Sequence, residues 1–215
     1  CEPMLHREQG LSALEIGAPP DHGGLSLWMA LNGYQVTCSG YGIYGPWINN
    51  IDKLKTIHNQ HHVGAQINYE EINACNIPHN ETFDLVILKS VLGGIVRQKD
   101  FSIAHQVTDQ IYKYLRPGGI VIALENLIST PIHNFLRRRY TAGSQGWRYF
   151  TEAELLSFYS KFSVKMFEKI GLLGCFGRNL AQQNILGLVD QYLLDRITGN
   201  HWGYIGAMVA QKPQD

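Results

Sequence analysis

The side chains able to do chemistry in this chain fall just after short apolar runs, where a folded sheet would end its strands. The first such place is Gly17-Ala18-Pro19-Pro20-Asp21-His22-Gly23-Gly24. Glycine there lets backbone approach a ligand closely, and the open N–H groups of a following helix favour a pyrophosphate or a carboxylate. The dinucleotide fingerprint G-x-G-x-x-G is broken by Pro19, so the loop reads equally well as a purely structural turn. Farther on, His133 suits a general base for an oxygen nucleophile, or else a hydrogen-bonded surface histidine. Glu125 is the alternative base; its plainer role is to cap a loop or pair with an arginine. Arg137-Arg138-Arg139 and Arg148 could clamp a phosphate or carboxylate. Three consecutive arginines cannot share one helix face, so at most two of them point inward. Trp147 and Tyr149 could stack on a sugar or ring, or simply pack the segment down.

His58, His61 and His62 have the spacing of a helix face, but no cysteine or carboxylate nearby in sequence completes a tetrahedral set. A solvated helix end is expected there, and no metal. Cys1, Cys38, Cys75 and Cys175 contain no Cys-x-x-Cys pair, which favours reduced thiols over a disulfide framework. Cys38 and Cys75 read as small apolar core residues on strands.

The elements that must position these groups alternate in period, as in an α/β sheet. Expected strands are Ser12–Ala18, Gln35–Ser39, Gln66–Asn73, Phe83–Val91, Ile120–Leu124, Val164–Leu173 and Trp202–Gln211. Phe83–Val91 is apolar through its middle, so it should be buried on both faces. Helices are expected at Gly24–Asn32, Pro46–Asn59, Asp100–Leu115, Thr151–Phe162 and Leu180–Ile197. Thr151 with Glu154 three residues later forms a capping-box pattern. The stretch Ser129–Phe150 is long for a connection inside a domain and is expected to cap a pocket.

At 215 residues the chain is long enough for one well-buried domain, spanning residues 1–215. It is 45% hydrophobic and 17% charged, with zero net charge, so it offers no bulk attraction for nucleic acid or an anionic membrane. No apolar run approaches a bilayer span, no secretory signal opens the chain, and a cytoplasmic location follows as the expectation. The sequence starts on Cys1 rather than Met, which leaves room for a preceding helix.

Four segments occur in a telling order: Leu14-Glu-Ile-Gly-Ala18, Ile72-Asn-Ala-Cys-Asn-Ile-Pro78, Phe83-Asp-Leu-Val86 and Leu115-Arg-Pro-Gly-Gly119. With these the chain resembles, over nearly its whole length, the class I S-adenosylmethionine-dependent methyltransferases, and the later stretches are similar to a bacterial subgroup of them. The resemblance implies a Rossmann-like, seven-stranded, mostly parallel sheet with an antiparallel last strand and helices on both faces. It implies S-adenosylmethionine as cofactor, with Glu15 ordering the methionine end and Gly17, Ala18 and Gly23 giving backbone approach. Asn73 and Ala74 would contact adenine, and Lys89 and Ser90 would border the transferring methyl. Arg137, Trp147 and Arg148 are the expected substrate contacts. The central strand is followed by Lys89-Ser90-Val91-Leu92, not by an Asn/Asp-Pro-Pro-Tyr/Phe motif, which argues against methylation of adenine or glutamine amino groups.

Two departures stand out. Pro19 removes an N–H where many relatives have glycine. Ser39 and Gly40 stand where the family usually places an acid for the ribose hydroxyls. Losing one hydrogen bond to a charged group, about 1.5–3 kcal/mol, weakens binding roughly 10- to 100-fold. Ser39, Tyr41 or Tyr44 could recover part of it. The expected function is methyl transfer to a small molecule, such as a hydroxyl of a sugar or natural-product intermediate, with no nucleic-acid or membrane partner and room for a homodimer. The alternative is a catalytically silent binding or regulatory protein of the same fold, and a nucleotide-dependent oxidoreductase ranks third.

Overall fold

Alternating apolar residues send side chains to both faces of each strand, and that alternation builds two cores on one sheet. Leu14, Ile16, Val86 and Leu88 face one core, with Ala104, Val107 and Ile111 of a covering helix. Ala13, Leu85 and Ile87, each one residue out of step, face the other, with Met29, Trp47 and Leu54. The computed structural model describes residues 10–21, 23–42, 46–78, 82–97, 100–140, 147–198 and 202–214. Cys1, His22 and Tyr44 lie outside these residues.

Seven strands form one sheet: β1 Ser12–Ile16, β2 Gln35–Gly40, β3 Ile67–Glu71, β4 Phe83–Lys89, β5 Leu115–Asn126, β6 Ser163–Ile170 and β7 Ile205–Gln211. Their order is β3-β2-β1-β4-β5-β7-β6. β7 runs antiparallel to both β5 and β6, and the other pairings are parallel. This is the seven-stranded, helix-covered α/β sheet expected from the sequence. The strand order reverses between β1 and β4, which opens a crevice at their carboxyl ends.

The helices are α1 Gly24–Leu31, α2 Asp52–Gln60, α3 Leu92–Val96, α4 Ser102–Tyr114, α5 Pro131–Tyr140, α6 Glu152–Phe158, α7 Leu180–Val189 and α8 Asp195–Thr198. Thr151 caps α6 with the full reciprocal box to Glu154. Two expected helices differ from their reading. Pro46–Asn59 splits into a 3-10 turn at Trp47–Asn50 and α2, because Trp47 must fold inward into the core. α7 and α8 are joined by a π-helical stretch, Asp190–Leu194. There Asp190 is drawn inward to accept N–H groups of Leu172, Leu173 and Gly174 at 2.8–2.9 Å. A wider turn is a common answer to such a pull. Leu115-Arg-Pro-Gly-Gly119 both closes α4, with Leu115 as its C-cap, and opens β5, with a register shift between Phe83 and Leu85 of the partner strand. Among the described residues no helix is long and apolar enough to cross a membrane.

Candidate functional site

The crevice at the switch point is lined by two adjoining cavities. The smaller, about 440 Å³, is walled by Ile72, Ala74, Val91 and Ile95, with Tyr41 and Asn73 at its polar edge. The larger, about 750 Å³, is bordered by Glu15, Asp21, Gly23, Leu27, Lys89 and Gln183. Gly17, Ser90 and Trp147 line both, so the two form one groove. The smaller cavity is mostly apolar, with Arg97 also in its lining, and Glu15, Asp21 and Lys89 border the larger.

Gly17 turns the chain out of β1 with φ +79°, a left-handed conformation that favours glycine. A Cβ there would lie 2.5 Å from Val91 Cγ2, so the turn also packs against the start of α3. The glycine thus serves chain packing at a point where its backbone also lines both cavities. Gly17→Ala is expected to cost about 3 kcal/mol, combining backbone strain with overpacking. Thermal unfolding should then shift down by about 10 °C, and a shift under a few degrees would contradict it.

Glu15 is buried, and its Oε2 accepts the backbone N–H of Ser26 at 2.9 Å and the Ser26 hydroxyl. The carboxylate therefore caps the first turn of α1. Burial raises its pKa, while the Ser26 bonds and the charge of Lys89 pull it down. Lys89 is exposed at the end of β4. Ser90 follows with φ +56°, its N–H on Leu124 O at 2.7 Å and its hydroxyl accepting from Asn126 Nδ2 at 2.9 Å. A non-glycine residue held there is backbone strain, and such strain gathers at functional sites.

Several residues nominated from sequence do not reach the groove. Ala18 lends its N–H to Ser39 O and its carbonyl to Trp47 Nε1, both at 2.8 Å, so it has no backbone donor left for a ligand. Ser39 is fully buried with its hydroxyl on Glu15 O at 2.6 Å, so it cannot meet a ribose. A Cβ on Gly40 would sit 2.3 Å from the Trp47 indole, which fills the space a β2 acid would need. Gly23 borders the larger cavity, yet its lack of a side chain makes room for His58 and Leu54. His58 itself is completely buried rather than solvated. It bonds Tyr69 Oη at 2.7 Å and Gly23 O at 3.1 Å, pinning the first loop to α2 and β3. Cys75 sits in the turn after β3, not on a strand.

Neither candidate base faces the groove. Glu125 is wholly buried and its carboxylate accepts N–H groups of Val91 and Leu92 at 2.8 Å and of Gly93 at 3.4 Å. It anchors the turn that carries Ser90. Burial pushes its pKa up to about 7 against the pull of those three donors. His133 lies inside α5 with Nε2 on Leu172 O at 2.7 Å and its ring stacked on Tyr204. Burial lowers its pKa, so it stays neutral at physiological pH. Arg137 is likewise buried, bonding Leu127 O at 3.2 Å with its guanidinium 3.7 Å from the Tyr149 ring centre. Arg148 pairs with Glu154 at 2.9 Å. These arginines hold the insert together instead of presenting charge to a substrate.

Asn73 and Ala74 line the smaller cavity, with Asn73 Oδ1 accepting the Cys75 N–H at 2.9 Å. Trp147 sits on the two glycines of α3: a Cβ on Gly93 or Gly94 would meet its ring at 2.6 or 3.0 Å. Among the insert's described residues only Trp147 lines either cavity. Sequence reasoning missed Trp47, Val91, Ile95 and Gln183. The Gly93-Gly94 pair after the central strand was the readable signal for a large ring above it.

No protein-family model and no curated protein matches the sequence. Solved structures do. A SAM-dependent methyltransferase from Methanosarcina mazei aligns over 100% of this chain and 97% of its own, with 18% identity and TM-score 0.68. The [4+2]-cyclase SpnF aligns over 97% and 77%, with 14% identity and TM-score 0.63. The N-methyltransferase NodS from Bradyrhizobium japonicum, bound to S-adenosylhomocysteine, aligns over 94% and 78%, with 15% identity and TM-score 0.58. The chain has the class I methyltransferase fold. On that methyltransferase fold the groove lies at the reversal of strand order, where ligands of open α/β sheets bind.

Proposed function

We propose that the protein binds S-adenosylmethionine in this groove and moves its methyl group to a small molecule. The observation that carries the reading is the continuity of a mostly apolar slot with a cavity bordered by charges, through Gly17 and Ser90. The slot walled by Ile72, Ala74, Val91 and Ile95 suits a purine, and Asn73 and Tyr41 offer it polar edges. Glu15 and Lys89 present opposite charges to an amino-acid end. The bound cofactor supplies an electrophilic methyl on a sulfonium. Ser90 and Trp147, which line both cavities, would frame the acceptor, so the protein's share of catalysis is proximity and orientation. His133 and Glu125 drop out as bases, being engaged elsewhere. The acceptor in this reading is a hydroxyl of a sugar or natural-product intermediate.

Calorimetry with S-adenosylhomocysteine tests the reading, and binding in the micromolar-to-millimolar range is expected. Lys89→Met should weaken that ligand about tenfold, the loss of one charged hydrogen bond, while leaving methylthioadenosine, which lacks the amino-acid end, unchanged. Absence of binding at millimolar ligand sinks the proposal. A second reading, a silent binding protein of this fold, is favoured by the indole that occupies the β2 acid's space. Bound cofactor without methyl transfer to any acceptor in a broad panel would support it.

A further inference from the structure

Beyond the groove, α7 and α8 with their π-helical link make a 19-residue helical run, and the one buried side chain in it is Asp190. Ile185, Leu188 and Tyr192 recur at helical spacing on it, and each is more than half exposed. So are Leu180, Leu193 and Ile197. α5 meets the 3-10 turn Gly174–Phe176, which packs on α7, through His133 and Phe176, and it exposes Ile132 and Phe135 by 75% and 68%. Apolar exposure of this extent on neighbouring helices marks an interaction surface rather than the scatter normal to a protein exterior.

Charge decides what the surface meets. The two carboxylates of the run turn inward: Asp190 onto the N–H groups of Leu172 to Gly174, and Asp195 onto that of Gly171. The exposed charges left on these elements are Arg138, Arg139 and Arg196, with Arg178 just before α7, all positive, in a chain whose net charge is zero. A second copy docking by the same patch would bring these arginines together, which like charge disfavours. An anionic lipid surface matches both properties, since apolar side chains enter the headgroup boundary while arginines meet phosphates.

We infer that α5 and the α7–α8 run form a docking face for anionic membranes. This is surface attachment and requires no spanning helix. Gln183, on the same run, borders the larger cavity, so docking would set the mouth of the groove at the lipid surface.

Co-sedimentation of the full chain with vesicles tests the inference. Partition onto phosphatidylcholine containing one-third phosphatidylglycerol should exceed that onto phosphatidylcholine alone by at least about tenfold, given roughly fivefold per arginine at the surface. Added salt should weaken it. Arg138→Glu with Arg139→Glu should erase the preference for anionic vesicles. Ile185→Glu with Leu188→Glu should abolish binding to both, and since both side chains are exposed, unchanged circular dichroism and melting will show the fold intact. Equal partition onto the two vesicle types overturns the inference. So does a dimer in sedimentation equilibrium that the Ile185→Glu/Leu188→Glu variant dissolves.

Discussion

Glu125→Ala is expected to cost about 3–5 kcal/mol, one of the largest single effects available in this chain. The substitution leaves three buried N–H donors of the Ser90 turn without an acceptor, each orphaned donor costing roughly 1–3 kcal/mol. The groove should loosen with it, since Ser90 lines both cavities. Glu125→Gln separates structure from charge. Burial pushes the wild-type pKa up to about 7 from the usual 4.5, so the folded state holds the proton more tightly than the unfolded chain. The stability that this group contributes is then highest below about pH 4.5, falls as pH rises toward 7 and levels beyond, by roughly 3 kcal/mol for a shift of that size. Glutamine, which keeps one oxygen for Val91 and Leu92, should flatten this slope. Denaturant melts of wild type and Glu125→Gln at pH 5 and pH 7.5 measure it: the buried His58 and His133 push the other way in both proteins, so a wild-type stability that does not fall relative to the variant over that interval would refute the assignment.

Restoring the acid that the sequence lacks should damage the protein. Gly40→Asp places a side chain 2.3 Å from the Trp47 indole, which is 5% exposed and hydrogen-bonded to Ala18. Displacing a buried tryptophan from a packed core costs on the order of 3 kcal/mol. The variant is therefore expected to melt lower and to gain no affinity for S-adenosylhomocysteine. In a Trp47→Ala background the same aspartate should cost much less, and a double-mutant cycle should give a coupling of about 1–3 kcal/mol. Additive effects would show that the two residues do not compete for space.

Local chemistry made much of the fold legible. The unbroken apolar run of β4 announced the central strand, and Thr151 with Glu154 announced the start of α6. What stayed hidden depends on partners distant in sequence. Nothing within a few residues of Glu125 shows that it will accept N–H groups more than 30 positions away, or that His133 will lie against Leu172. Arg137 reads the same as Arg138 and Arg139 until one knows which face of α5 is covered. Spacing predicted that only one or two of the three could turn inward, and one does. Trp47 was passed over because a lone tryptophan in an apparent helix carries no signal that it will displace a ligand-side acid.

The order of the sheet also bears on how the chain is made. β6 pairs with β7 alone, and β7 lies between β5 and β6. During synthesis, at about 5–20 residues per second, Ser163–Ile170 emerges well before Ile205–Gln211 and for some seconds has no strand to join. The nascent polypeptide carries an open β-edge through that interval, with the α7–α8 segment still unanchored. Exposed strand edges of this kind are where unfinished chains aggregate, so the interval before β7 emerges is the vulnerable one in making this fold.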